Sequence, residues 1–71
     1  MSKWAADFAN DPLNDFELMV EILYDDKDVA VIRRGEEGLE LKWYAHQDDL
    51  VVPLEWIADL FAEAKNKLGN N

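Results

Sequence analysis

The chain has 71 residues, of which 16 are acidic and 7 basic, giving a formal charge of -9, and it contains no cysteine. A chain this short buries about 60% of its unfolded surface, so one domain over residues 1–71 with a single core and no internal cofactor cavity is expected, and the missing thiols exclude a disulfide scaffold, a thiolate metal site and a thiol nucleophile. An apolar content of 49% separates it from acidic disordered tails, while apolar runs of three or four residues and an N-terminus without the apolar centre of a signal peptide predict a soluble, cytoplasmic protein with no membrane partner.

At the N-terminus, Ser2 is placed to cap a short helix that runs through Ala9 with Trp4 and Phe8 one turn apart. Asn10-Asp11-Pro12 would end it, so residues 1–13 are predicted as a helical segment. Residues 16–24 then alternate, with Phe16, Leu18, Val20, Ile22 and Tyr24 apolar at every second position, which is strand periodicity. Beyond the polar run Asp25-Asp26-Lys27-Asp28 the β-branched stretch 29–34 forms a second strand, and beyond Gly35-Glu36-Glu37-Gly38 the alternation of Leu39, Leu41, Trp43 and Ala45 forms a third. Residues 16–46 thus read as a three-stranded antiparallel meander.

Register follows from keeping the apolar positions together, since a slip of one residue turns a strand over. Tyr24 opposite Val29 sets Ile22 against Val31. A two-residue Glu36-Glu37 loop would set Val31 against Lys42, so an odd loop with a left-handed Gly38 bulge is predicted instead, bringing Val31 opposite Leu41 and Val29 opposite Trp43. Residues 53–68 form the last element: Pro53 at the start, Glu55 in the first turn, Lys65 and Lys67 in the last, and Leu54, Ile57, Leu60, Phe61, Ala64 and Leu68 at helical spacing before Gly69. The predicted fold is therefore α+β, in the order αβββα, with the C-terminal helix closing over Leu18, Val20, Ile22, Val29, Val31, Leu41 and Trp43.

In such a meander the first turn and the exit of the third strand lie at one end of the sheet. Asp25, Asp26, Asp28, Asp48 and Asp49 then share a rim about 10 to 15 Å across, offset there by Lys27 and His46. Negative charge in that density imitates phosphate rows and suits a basic protein surface, whereas it disfavours direct nucleic-acid binding. The other sheet face is predicted to present Met19, Leu23, Ala30, Ile32 and Tyr44 among charged side chains. Trp4, Phe8 and Leu13 would cover its apolar part within the chain or across a homodimer, and Trp4, Phe8, Met19, Leu23, Ile32 and Tyr44 form a second candidate contact face. Trp56 falls on the flank of the helix stripe.

Chemistry is less well supplied. Asp26-Lys27-Asp28 starts like a calcium loop but has Ala30 at the third acidic position and no closing Glu. His46, Asp48 and Asp49 offer three donors without fixed geometry, so neither a metal nor another cofactor is expected. Asp28 with Glu40-Leu41-Lys42 resembles the carboxylates and lysine of metal-dependent nucleases in three residues only, with Glu40 and Lys42 on the face away from the core and Asp28 in a turn nearer the far end of that strand, and Ser2 is the sole serine. No enzyme activity is expected. In size, acidity and a few strands with flanking helices the chain resembles small phage-encoded inhibitors such as uracil-DNA glycosylase inhibitors and some anti-CRISPR proteins, a likeness of architecture and charge that carries no residue across. The expected function is a small acidic non-catalytic interaction module, an inhibitor or nucleic-acid mimic seated on the basic site of a nucleic-acid-acting protein. The alternatives are an oligomeric accessory or structural protein and an immunity-type antidote to a toxin.

Overall fold

A computed structural model describes residues 3–13, 15–44 and 49–69. Four strands, β1 (Trp4–Asp11), β2 (Glu17–Tyr24), β3 (Lys27–Gly35) and β4 (Gly38–Trp43), are followed by one helix, α1 (Leu54–Gly69). The strands form one antiparallel sheet in the order β1-β2-β3-β4, and α1 packs on one of its faces against β2, β3 and β4. The α+β class and the C-terminal helix agree with the expectation.

The predicted N-terminal helix is instead strand β1, so the sheet has four strands rather than three. Trp4 and Phe8 are four residues apart, a spacing that shares a face in a helix and also in a strand, where every second residue does. The three alanines of this segment favour a helix locally. Pairing with β2, from Trp4 opposite Tyr24 to Asp11 opposite Glu17, overrides that preference, because a neighbouring strand satisfies the backbone and buries Trp4 at the same time.

The register of the meander also differs from the expected one, and a single feature explains why. Asp25 and Asp26 both take positive φ, 54° and 65°, closing a two-residue turn of the mirror-image type whose twist matches that of the strands. This sets Tyr24 opposite Lys27 and Leu23 opposite Asp28. The register then shifts, so that Ile22 faces Ala30 and Val20 faces Ile32, leaving Val29 as the extra residue of a β-bulge. The slip predicted in the second hairpin thus occurs in the first. In the second hairpin Gly35 pairs with Gly38, Val31 faces Lys42 and Ile32 faces Leu41. Gly38 does take a positive φ, 124°, where an L side chain would be strained.

The bulge decides which side chains meet the helix. Val29 and Ala30 both join the buried cluster with Val20, Ile22 and Ile32, while Val31 turns to the opposite face, contrary to the expected stripe. Ile57, Leu60, Ala64 and Leu68 close the cluster from α1. Leu41 and Trp43, expected in the core, remain 47% and 43% exposed because β4 is the last strand of the sheet, with no strand paired beyond it among the described residues. Leu54, expected in the helix stripe, is exposed in the first turn. Pro53, predicted as the first helical residue, stands just before α1, and its carbonyl accepts from Ile57 N–H at 3.1 Å.

Trp4 ties the two ends of the chain together. Its indole N–H donates to the Val51 carbonyl at 2.9 Å, and its ring lies 4.9 Å from Tyr24, 6.0 Å from Trp56 and 6.3 Å from Trp43. At the other end of the helix, the Arg34 guanidinium donates to the Leu68 carbonyl, capping orphan acceptors of the last turn with a positive charge.

Candidate functional site

The β2–β3 turn carries Asp25 and Asp26 and the start of β3 carries Asp28, all exposed, at the end of the sheet where β1 begins. Asp25 N–H donates to the Lys3 carbonyl at 3.0 Å, which fixes the turn against the start of β1. The chain leaves β4 at this same end and reaches Val51 beside Trp4, so exposed Asp49, two residues earlier, also lies here. His46 and Asp48 lie outside the described residues. The turn places both aspartates at positive φ and leaves them exposed. Asp is among the few residue types that tolerate it.

Among the described residues no cation pairs with Asp25, Asp26, Asp28 or Asp49 within 4.0 Å. Lys27 opens β3 directly after the turn, and Lys3, just before β1, is bonded to the turn through its carbonyl. The opposite end is also acidic. Asp11, Glu17, Glu36 and Glu40 line, with Arg33 and Arg34, an open hollow of ≈ 660 Å³. Asp11 reaches it through the β1–β2 hairpin, where it pairs with Glu17. This hollow is not at the predicted rim. Asp11 has a structural task in it: its carboxylate accepts from Leu13 N–H at 3.0 Å while its carbonyl accepts from Phe16 N–H at 2.8 Å.

The face of the sheet away from α1 carries Met19, Leu23, a buried Val31 and Tyr44 among Asp7, Glu17, Glu21, Arg33, Glu40 and Lys42, as the pairing and the alternation of side chains require. Of the six residues predicted for a second contact surface, Met19, Leu23 and Tyr44 lie here. Trp4 and Ile32 are buried against the helix side, and Phe8 is half-buried there with Lys67 Nζ 4.5 Å from its ring. Trp4 and Phe8 thus complete the core from within the chain. Ala30 moves with Ile32 for the same reason, the bulge at Val29.

Two exposed apolar features depart from the expectation, which had Leu13 covering a sheet face and Leu41 and Trp43 in the core. Leu13 and Phe16, 94% and 66% exposed, sit in the β1–β2 connection, where Asp15 and Phe16 have φ of 56° and 59°. A positive φ on a bulky aromatic is unusual, and nothing in the local composition marks it. The second is the free edge of β4 with Leu41 and Trp43. Among the described residues no three His, Asp or Glu side chains converge closely enough to hold a metal ion, and no helix is long and apolar enough to cross a membrane. No protein-family model, curated protein or solved structure matches this chain at a significant level.

Proposed function

We propose that this chain is an acidic, non-catalytic protein-interaction module that seats its carboxylates on a basic surface, most concretely the phosphate-binding surface of a nucleic-acid-acting protein. The observation that supports the reading is the exposure of Asp25, Asp26, Asp28 and Asp49 at one end of the sheet with no cation paired to them among the described residues, in a chain of charge -9. Carboxylates left unpaired within the chain repel one another. A partner that supplies lysine and arginine relieves that repulsion and releases the counterions held at both surfaces, which gives fast association and a steep dependence on salt.

The test is capture of partners from the native cell extract on the immobilised chain at about 50 mM and about 500 mM salt, where screening lengths differ severalfold. Captured proteins should be nucleic-acid-binding, released at high salt and displaced by duplex DNA. Asp25→Asn with Asp26→Asn removes two charges while keeping residues that tolerate positive φ, so it should weaken capture without unfolding the turn. Capture that ignores salt, duplex competitor and this double substitution refutes the proposal.

A further inference from the structure

The free edge of β4 carries a pattern that is complementary to itself. Tyr44 N–H bonds to the Val29 carbonyl at 2.9 Å and Lys42 stands opposite Val31. Because hydrogen bonding along an antiparallel strand alternates from one residue to the next, Gly38, Glu40, Lys42 and Tyr44 direct their backbone groups to β3, and Leu39, Leu41 and Trp43 direct theirs to the open edge. The side chains of these three lie on the helix side, where an apolar groove of ≈ 440 Å³ runs between the edge and α1, lined by Leu39, Leu41, Phe61 and Ala64. An apolar edge of this kind is a template for another strand.

Charge selects the occupant. In antiparallel pairing of β4 with a second β4, a two-fold axis through Glu40 would set two carboxylates face to face, and one through Lys42 would oppose two ammonium groups. An axis through Leu41 places Glu40 of each copy opposite Lys42 of the other, Leu39 opposite Trp43, and Leu41 against itself. The same register pairs all the backbone groups that Leu39, Leu41 and Trp43 turn outward. Edge strand β1 has no such complement, its charges on the open face being Asp7 and Asp11. We propose that the chain forms a homodimer through β4, antiparallel about an axis at Leu41, giving one eight-stranded sheet with both helices on the same side. The interface is isologous, so each favourable contact occurs twice. It does not depend on the acidic rim, which lies outside the paired segment.

Sedimentation equilibrium from about 1 μM to about 1 mM tests it, a range that spans micromolar to millimolar dissociation constants. The wild-type chain should sediment as a concentration-dependent dimer. Lys42→Glu converts both cross-strand pairs to carboxylate against carboxylate and should weaken the dimer about tenfold or more. Combining it with Glu40→Lys should restore wild-type affinity, because the swapped charges meet again. Circular dichroism verifies the fold of each variant. Should the double variant not fold, an equimolar mixture of Lys42→Glu and Glu40→Lys chains gives the same readout, as the two should prefer each other to themselves. A wild type that stays monomeric throughout, a Lys42→Glu dimer of unchanged affinity, or swapped charges that fail to restore association overturns the proposal.

Discussion

Substituting Trp4 probes the strand that replaced the expected helix. Trp4 is 8% exposed and touches Tyr24, Trp43 and Trp56 while its indole N–H satisfies the Val51 carbonyl 47 residues away. Trp4→Ala removes that buried surface and leaves a cavity, a change that typically destabilises by about 3–5 kcal/mol, and it strands a partly buried carbonyl for about 1 kcal/mol more. A chain of 71 residues has a total stability of about 4–10 kcal/mol, so the variant should be barely folded at room temperature. Urea unfolding followed by far-ultraviolet circular dichroism measures this: with a slope of about 1 kcal/mol per molar, the midpoint should fall by about 3 M or more. Trp4→Phe keeps a ring beside Tyr24 but has no N–H, and should fall between the two, losing about 1–2 kcal/mol. A Trp4→Ala midpoint within about 0.5 M of wild type would mean that Trp4 is peripheral and β1 contributes little to the fold.

Asp26→Gly relieves positive φ in the β2–β3 turn and removes a neighbouring like charge, so thermal melting should rise by about 2–4 °C, a gain of about 0.5 kcal/mol. Gly38→Ala, at φ 124° with open space around the added carbon, should lose about 1–3 kcal/mol from backbone strain alone. D-alanine introduced there by chemical synthesis should leave the urea midpoint unchanged. Arg34→Ala removes the donor to the Leu68 carbonyl, and hydrogen–deuterium exchange should speed up through the last turn of α1 with a loss of about 1.5–3 kcal/mol in chemical denaturation. Ile22→Ala, at the centre of the core, should lose about 2–5 kcal/mol by the same assay.

How much of the fold was legible depends on whether a local pattern admits one meaning. In β2 the alternation from Leu18 to Tyr24 has period two and no helical reading, and in α1 the spacing of Ile57, Leu60, Ala64 and Leu68 has no strand reading. Trp4 and Phe8 satisfy both periods, and alanines tilted the choice toward the helix that pairing with β2 then overruled. The need for one irregular residue in the meander was also legible, because regular pairing of both hairpins cannot bring every apolar position to one face. Its location was not. A bulge at Val29 and a bulge at Gly38 repair the same alternation, and the choice between them rests on the positive φ of Asp25 and Asp26, which the sequence permits without requiring. Val31, Ala30 and Ile32 changed faces with that choice, and the second candidate contact surface was rearranged with them.

Charge, size, the absence of thiols, three of the four strands and the amphipathic helix were determined by the sequence alone, because each rests on composition or on a repeat within one segment. The tertiary structure decided the rest: that residues 4–11 extend, where the bulge falls, which carboxylates gather with the arginines, and which strand is left with an open edge. Those outcomes depend on contacts between segments far apart in the chain, such as Trp4 with Val51 and Arg34 with Leu68. No window of local sequence contains both partners of such a contact, so the free energy that selects it appears only when the sheet and helix close together.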